Sequence, residues 1–449
     1  MSLTGKIDCR IISSTKSASP MKPSNPKIRS RKSSGRSHWY PYYAGYSQNF
    51  VSDILLHLNL DSEAVVLDPW NGSGTTTAVC SMSGISSHGF DLNPSMVVVA
   101  KGRLLDSNTA GSLAPLLETI LDKAKYDMPI ESKDEPLLAW FSPSTALRLR
   151  SIERAIHEIL IKSSENEKFY DRSFLNDHVN HISSLAAFYY VLLFRLVREN
   201  LNKLITTNPT WMPLSSDVAN QLHLSWDSIS RAMRHNLNQI YFIDKSILPE
   251  SFVAEASLRV ANSCDLPLDD ESIDAIITSP PYCTRIDYAV ATRAELAVLN
   301  LGNIKNFDNL RRNMIGTTLS NRNLEDHICV TASARDILNS IRSHPSKASS
   351  TYYHSTFADY FYKLQKSLEQ IERVLKLNGT ATLVVQDSSY KDIHIDLAQI
   401  VIDSMEALGL VPSSRWDYPV TRSLRQIHTA SRGHNDRQPM ESALTFRKI

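Results

Sequence analysis

The sequence predicts an α/β fold in which mostly parallel β-strands alternate with helices. Two early stretches carry this prediction: EAVVLDPWNGSGTTTAVCSMSG at 63–84 and SSHGFDLNPSMVVVAKGRLL at 86–105. Each runs from a short strand through an acidic strand end and a turn into a helix, which is βαβ order. A comparable pattern returns at 256–282 with ASLRVANSCDLPLDDESIDAIITSPPY. Repeated βαβ units favour a parallel sheet with helices packed on it.

The N-terminal 37 residues differ in composition from the rest of the chain. They contain many Lys and Arg residues and a single Asp, and they are rich in Ser and Pro. This composition predicts a flexible basic arm at 1–37, either a solvated tail or a segment that contacts phosphates. The whole chain of 449 residues has a net charge of only +1, so its overall charge does not indicate a polyanionic partner.

Cysteine usage and hydropathy argue against a metal protein and a membrane protein. Five cysteines are scattered along the chain: Cys9, Cys80, Cys264, Cys283 and Cys329. No pair of them has the spacing of a zinc site, so we expect no metal and a reducing, cytoplasmic location. The most apolar run, LAAFYYVLLFRLV at 185–197, is too short to span a bilayer and contains Arg195. It predicts a buried helix, and we expect neither a signal peptide nor membrane association.

Composition and periodicity divide the remaining chain into three parts. Residues 38–106 contain the first βαβ units and form the first part of the α/β core. Residues 107–250 are mostly helical by period and predict a helical insertion. The α/β pattern resumes in 251–449, which forms the second part of the core. Within it, residues 302–350 are polar, irregular and moderately basic.

The turn DPWNGSGTT at 68–76, called the glycine turn below, predicts a ligand site at the edge of the sheet. Gly72 and Gly74 permit a tight turn, and the following helix presents unpaired N–H groups. No Lys follows Gly74, so the turn is not a phosphate-binding P-loop, and the dinucleotide pattern GxGxxG is also absent. Asp68 suits a cationic ligand, and Asp91 at the next strand end suits ribose hydroxyls. The two carboxylates together favour an adenosyl ligand without phosphates.

A second motif, SPPY at 279–282 (the SPPY corner), follows a strand, and Asp265 is predicted to end the strand before it. The combination of DPWNGSGT and SPPY, each at a strand end, resembles the S-adenosylmethionine-dependent amino-methyltransferases that modify exocyclic nitrogens of DNA bases. The family motifs fall within about 38–103 and 256–449, and the 107–250 segment has no counterpart in the family pattern.

This resemblance implies a Rossmann-like methyltransferase core with a mostly parallel seven-stranded sheet, S-adenosyl-L-methionine as cofactor and double-stranded DNA as substrate. A bacterial restriction–modification role and a cognate restriction endonuclease also follow from the family alone. The cofactor motif precedes the catalytic motif, so the chain does not belong to the permuted subgroup in which that order is reversed. Either the 107–250 insertion or the 302–350 segment is the candidate target-recognition element.

The physical chemistry of the SPPY corner fits an amino-group substrate. Pro280 and Pro281 fix φ and hold Ser279 and Pro280 extended, so Ser279 Oγ and the Pro280 carbonyl form a rigid pair of acceptors. An exocyclic amino group has two hydrogens, and its lone pair is delocalised into the base. Two acceptors that hold these hydrogens favour a tetrahedral nitrogen with a free lone pair. Tyr282 would stack on the base, which must leave the duplex.

The resemblance also assigns individual residues. The catalytic set is Ser279, Pro280, Pro281 and Tyr282. The cofactor set is Asp68, Pro69, Trp70, Gly72, Gly74, Thr75, Asp91, Asp265, Leu266, Ser47 and Asn49. Asp91 would bind the ribose, Asp265 with Leu266 would border the adenine, and Ser47 with Asn49 would line the amino-acid end. Trp70 stands where the family usually has Phe, which keeps the aromatic character.

Several alternatives stay open at the level of sequence. Serine in the first position of the SPPY corner favours N4 of cytosine, whereas Asp or Asn is commoner in enzymes that modify N6 of adenine. An RNA base-amine methyltransferase and a nucleic-acid-binding module without activity are the other candidates. Arg285, Asp287 and Arg293 predict either surface ion pairs or phosphate contacts. The cation-rich segment 414–438 predicts either a solvated loop or a DNA-backbone contact.

Overall fold

The computed structural model describes residues 22–27, 35–41, 45–126, 134–161, 179–204, 211–214, 220–244, 252–283, 286–300, 304–319, 331–420 and 438–449. The predictions for most of the basic arm, for Arg285 and for the greater part of the cation-rich loop fall outside these residues. So does the middle of the 302–350 segment.

A seven-stranded sheet forms the centre of the described chain. In chain order its strands are β1 Val65–Asp68, β2 Ser86–Asp91, β3 Ala256–Val260, β4 Ile273–Thr278, β5 Leu375–Gln386, β8 Leu410–Pro419 and β9 Met440–Lys448; β6 Ser388–Tyr390 and β7 Ile393–Ile395 pair separately. The spatial order is β3-β2-β1-β4-β5-β9-β8. The first five strands are parallel, and β9 lies antiparallel between β5 and β8. The prediction of a mostly parallel seven-stranded sheet is therefore confirmed.

Helices connect these strands. They are α1 Gln48–Leu58, α2 Thr75–Met82, α3 Pro94–Arg103, α4 Ala110–Tyr126, α5 Pro143–Leu160, α6 Ser184–Leu201, α7 Trp226–Asp244, α8 Tyr288–Ala291, α9 Arg293–Val298, α10 Ile304–Asn313, α11 Ala332–Ser343, α12 His354–Val374 and α13 Leu397–Ala407. Several begin at side-chain caps, such as Asn93 before α3 and Asp396 before α13. Among the described helices, none is long and apolar enough to cross a membrane.

Helices cover both faces of the sheet because side chains alternate along each strand. Val66 of β1 packs in a cluster with α1 and α2. Its neighbour Leu67 points the other way and packs in a cluster with α12 and α13. The two faces are thus closed by helices from different parts of the chain, which leaves the carboxyl ends of β1–β4 as the accessible edge.

The helices of the predicted insertion pack directly on the α/β core. One hydrophobic cluster includes Met96 to Ala100 of α3 together with α4–α7. The contact between α3 and α6 is close, since a Cβ at Gly102 would lie 3.0 Å from Val191 and 3.2 Å from the Ala187 carbonyl. The described part of the insertion therefore shares a core with the sheet, while the proposed division of the chain into domains stays a prediction.

Candidate active site

The loops that follow β1, β2, β3 and β4 open into one cavity at the carboxyl edge of the sheet. It brings together these predicted residues: Pro69, Trp70, Gly72, Thr75, Asp91, Ser279, Pro280, Pro281 and Tyr282. Segments before α1 and around α8 and α10 complete its wall, with Tyr40, Tyr46, Thr292 and Ile315 among the lining residues. Both sequence motifs thus face a common space, as their positions at adjacent strand ends require.

The glycine turn adopts backbone geometry that side chains rarely tolerate. Gly72 and Gly74 have φ of 50° and 81°. A Cβ at Gly74 would lie 2.7 Å from the Ala100 Cβ, because α3 passes directly over the turn. Gly74 therefore allows close packing of α3 rather than lining the cavity, whereas Gly72 does line it. The turn leads into the N-terminus of α2, and Thr75 in its first turn faces the cavity.

Asp68 lies beneath the glycine turn and is only 1% exposed. Its carboxylate accepts hydrogen bonds from Thr278 Oγ1 at 2.5 Å, Thr76 Oγ1 at 2.6 Å, Tyr46 OH at 3.0 Å and the Trp70 N–H at 3.1 Å. Burial raises the pKa of Asp68, and these hydrogen bonds oppose that rise. The carboxylate ties β1, β4, α2 and Tyr46 together and does not line the cavity. The structure therefore supports a positioning role for Asp68 in place of the predicted direct contact.

Asp91 does line the cavity. Its Oδ2 accepts a hydrogen bond from the Gly72 N–H at 3.0 Å, and its Oδ1 accepts one from the Asn93 N–H at 2.8 Å. Burial raises the pKa of Asp91 to about 7, against the opposing effect of these two N–H donors. The carboxylate is thus held at a fixed position between the glycine turn and the start of α3, with its charge state sensitive to pH near neutrality.

Ser47 and Asn49, the residues predicted to line the amino-acid end of the cofactor, lie at the start of α1 and have other roles. Ser47 is the cap of α1: its Oγ accepts from the Phe50 N–H at 3.2 Å and donates to the Asn25 carbonyl at 3.1 Å. Asn49 is exposed. Neither lines the cavity, and the neighbouring Tyr46 does instead. The sequence did not distinguish Tyr46 from Ser47 and Asn49, because the position at which α1 begins determines which of these side chains faces the cavity.

The prediction that Asp265 ends a strand is wrong. The strand ends at Val260, and a turn follows in which the Asp265 N–H donates to the Asn262 carbonyl at 2.9 Å. Asp265 is exposed on a separate surface depression, and Leu266 is buried in the core. Asn262 and Ser263 line the main cavity at this point. The turn moves the chain away from the strand end, so Asp265 and Leu266 do not join the cavity wall.

The SPPY corner is held by hydrogen bonds that determine which of its oxygens remain available. Ser279 Oγ donates to the Val384 carbonyl at 2.9 Å, so the serine proton is engaged and its lone pairs are not. Tyr360 OH donates to the Pro281 carbonyl at 2.9 Å. The Pro280 carbonyl accepts no hydrogen bond from the described residues. The lone pairs of Ser279 Oγ and the Pro280 carbonyl are therefore available as acceptors for a ligand.

Helix α12 supports both the SPPY corner and the wall segment that contains Met314. Tyr360, on this helix, holds the corner as described. One turn later, Lys363 Nζ donates to the carbonyls of Arg312 at 2.5 Å and Met314 at 3.1 Å, and it pairs with Asp359 at 2.7 Å. Met314 lines the cavity. One helix thus holds two parts of the cavity wall, the SPPY corner and the Met314 segment.

Arg198 on α6 brings the insertion into the cavity wall. Its guanidinium pairs with the fully buried Glu295 through two contacts of 2.6 Å and donates to the Ala291 carbonyl at 2.7 Å. The sequence did not identify this residue, because its partner lies almost a hundred positions away on α9. The pair anchors α6 to the chain that follows the SPPY corner.

Asp287, for which the sequence left two readings open, is buried in an ion pair. It accepts from Arg311 Nη2 at 2.8 Å and Thr318 Oγ1 at 3.1 Å, and it caps α8 through the Val290 N–H at 3.2 Å. Arg293 lies over the Phe307 ring at 4.4 Å. Both residues are thus engaged within the protein on the side of the cavity next to Tyr282.

The strand order, with one antiparallel strand between β5 and β8, and a ligand cavity at the carboxyl ends of β1–β4 define a Rossmann-like methyltransferase core. No family model matches the chain. Among solved structures it is similar to a SAM-dependent methyltransferase from Methanosarcina mazei, at 9% identity and a TM-score of 0.29, covering 88% of this chain and 97% of that one.

Curated relatives cover most of the chain. The type II methyltransferase M.AvaI of Nostoc sp. is 22% identical over 407 residues, which is 85% of this chain and 80% of the relative. M.MvaI of Kocuria varians is 21% identical over 351 residues, covering 73% and 71%. M.BsoBI of Geobacillus stearothermophilus is 24% identical over 307 residues, covering 64% and 56%. Over most of its length the chain is thus similar to curated type II methyltransferases.

The cavity residues fit S-adenosyl-L-methionine, the cofactor that the two sequence motifs imply. Asp91 offers a carboxylate to a vicinal diol, and the glycine turn leaves room for close backbone approach. The wall also contains the aromatic Trp70 and the helix N-terminus at Thr75. No cationic side chain other than the Glu295-paired Arg198 appears among the described lining residues, which suits a ligand with a sulfonium charge.

Proposed function

We propose that this protein transfers a methyl group from S-adenosylmethionine to the exocyclic N4 of a cytosine that is flipped out of double-stranded DNA. The observation that carries the proposal is the hydrogen bonding of the SPPY corner. The Ser279 hydroxyl donates to the Val384 carbonyl and Tyr360 donates to the Pro281 carbonyl, which leaves the Ser279 Oγ lone pairs and the Pro280 carbonyl available to accept the two hydrogens of an amino group. The cofactor supplies an electrophilic methyl group when it is bound.

The residues of the corner then have distinct tasks. Ser279 Oγ and the Pro280 carbonyl accept the amino hydrogens and aim the nitrogen lone pair away from the corner. Tyr282 stacks on the base, and the Tyr288 OH accepts a hydrogen bond from its N–H at 3.1 Å, which fixes its backbone. Alignment and electrostatic complementarity supply the rate enhancement, so no strong general base is needed. The methylated amino group is positively charged and acidic, and it releases its excess proton to solvent after transfer.

The choice of cytosine rests on the serine at position 279, and the names of the relatives do not state which base they modify. N6 of adenine is the second candidate, because its amino group presents the same two hydrogens to the same acceptors. An RNA base amine is the third. The relatives are type II methyltransferases, which supports DNA and a restriction–modification role. A cognate endonuclease and a cytoplasmic location are parts of the same proposal.

One experiment separates these substrates. The purified chain is incubated with tritiated S-adenosylmethionine and unmethylated plasmid DNA or bulk tRNA in parallel, and labelled nucleosides are identified by mass spectrometry. We expect N4-methylcytosine in the DNA. N6-methyladenine in the DNA would show that adenine, the second candidate, is the target base. Label in tRNA alone would overturn a DNA role. Ser279→Ala serves as the control for background activity, since it retains the cavity but removes one acceptor.

A further inference from the structure

Two adjacent tyrosines are exposed at one point of the surface. Tyr352 and Tyr353 are 41% and 37% exposed, and their ring centroids lie 5.1 Å apart at 76°. They end a π-helical turn, Ser349–Tyr353, which is called the tyrosine ridge below. Ala348 before it has φ of 63°, a conformation that a residue with a Cβ rarely adopts. Such irregular helical turns occur frequently at functional sites.

The tyrosine ridge is supported from behind. The Tyr353 ring lies 5.0 Å from the ring of Tyr390, which is buried. The Tyr390 hydroxyl shares a 2.6 Å hydrogen bond with the Ser349 hydroxyl at the start of the ridge. Packing against Tyr390 therefore restricts the conformations of the exposed rings. Binding of a partner to these rings would cost little side-chain conformational entropy.

The ridge also lies close to the SPPY corner. Tyr352 OH is 3.5 Å from the Thr318 carbonyl. Thr318 in turn donates to Asp287, the residue that caps α8. Gly316, two residues earlier, approaches the Tyr282 carbonyl so closely that a Cβ there would lie 3.1 Å from it. A short chain of contacts thus connects the exposed ring of Tyr352 to the backbone of the corner.

The chain segment that leads into the ridge carries more cations than anions, which favours an anionic partner. The charged side chains of the described residues 331–353 are Arg335, Asp336, Arg342 and Lys347, with His344 paired to Asp392 at 2.7 Å. Arg342 and Lys347 are exposed. Arg342 and Lys347 precede the two exposed rings in the chain by five to eleven positions. Exposed aromatic rings and exposed cations together bind nucleic acids, through stacking on bases and neutralisation of phosphates.

We propose that the tyrosine ridge is a DNA-contacting surface, in which Tyr352 stacks on a base beside the target nucleotide and Arg342 and Lys347 contact the backbone. The proposal rests on the function proposed above, because it takes DNA as the substrate. It assigns the end of the 302–350 segment and the residues just beyond it to DNA contact. The ridge lies outside the cavity wall, so cofactor binding does not depend on it.

The test uses the full chain and a linear plasmid fragment that the wild-type protein labels with tritiated methyl groups. DNA affinity is measured by filter binding in the presence of S-adenosylhomocysteine over a range of salt concentrations. We expect Tyr352→Ala to raise the dissociation constant at least about fivefold, the lower end for loss of one stacked base. Tyr352→Phe keeps the ring and the affinity. Lys347→Ala lowers the slope of log K against log salt by about one.

Matched controls come from a second exposed aromatic. Tyr126, at the end of α4, is 82% exposed and follows the exposed Lys125. Tyr126→Ala and Lys125→Ala should leave DNA affinity and its salt dependence unchanged. If Tyr352→Ala behaves like Tyr126→Ala on DNA that the wild type methylates, the ridge is not a DNA surface. If the wild type methylates no DNA, the proposed function itself fails, and the ridge proposal fails with it. S-adenosylhomocysteine affinity, unchanged in every variant, shows that the variants are folded.

Discussion

Replacing Tyr360 with Phe removes one hydroxyl group from the support of the SPPY corner while preserving the buried ring. In the structure this hydroxyl donates to the Pro281 carbonyl at 2.9 Å. Without it the Pro281 carbonyl loses its donor and competes with the Pro280 carbonyl for an amino hydrogen of the substrate. A buried group that loses its only partner costs about 1–3 kcal/mol. If this free energy is lost in the transition state, kcat falls about 5- to 150-fold.

The assay is single-turnover methyl transfer from tritiated cofactor to plasmid DNA, with cofactor affinity measured separately by calorimetry. Tyr360 does not line the cavity, so the dissociation constant of the cofactor should stay at the wild-type value. Tyr189→Phe is the matched control, because this buried tyrosine also donates to a carbonyl, that of Leu113 at 2.7 Å, in the helical region. Both variants should lose similar stability in thermal unfolding.

The comparison of these two variants tests the assigned role directly. We expect a fall in kcat for Tyr360→Phe and none for Tyr189→Phe. Equal turnover in the two would show that the Tyr360 hydroxyl only stabilises the fold, and the selection of the Pro280 carbonyl as substrate acceptor would then be wrong.

Four further changes probe the cavity. Ser279→Ala should lower methyl transfer about 100-fold or more with normal cofactor affinity, as loss of one preorganised hydrogen-bond partner does; full activity would contradict the acceptor role. Tyr282→Ala should weaken productive DNA binding by about 1–3 kcal/mol, measured as kcat/KM for DNA, through loss of base stacking. Asp91 has a pKa of about 7 in the free protein, so cofactor affinity should rise between pH 6 and pH 8 as the ribose-binding carboxylate ionises, and Asp91→Asn should bind more weakly without this pH dependence. Because the unfolded chain ionises at the ordinary lower pKa, the folded protein should also lose stability as pH rises from about 4 to 7, and Asp91→Asn should lose less in thermal melts. Gly74→Ala should destabilise the fold by at least about 1–2 kcal/mol, since it combines positive φ with a Cβ contact of 2.7 Å to Ala100; an unchanged melting temperature would mean that α3 moves aside at little cost.

The roles of α12 and α6 link the separate parts of the chain in one site. α12 holds the SPPY corner through Tyr360 and the Met314 segment of the wall through Lys363. α6, which belongs to the segment without a counterpart in the family motifs, contributes Arg198 to the wall. The helical segment thus contributes to the wall of the cavity.

The order of elements, the parallel sheet and the two motifs at strand ends follow from the sequence itself. Short apolar runs, acidic strand ends and glycine or proline turns are local signals, and local backbone chemistry determines them. For this reason Gly72, Asp91 and Ser279–Tyr282 could be predicted to face one site. Tertiary packing decided the remaining features, because they depend on partners distant in the chain. The Asp68 side chain lies beneath the cavity because its carboxylate accepts hydrogen bonds from Thr278, Thr76 and Tyr46. Asp265 lies outside the cavity because a turn follows β3. Arg198 lines the cavity and Tyr360 supports the SPPY corner from behind, and both come from helices whose sequences indicate only an apolar face.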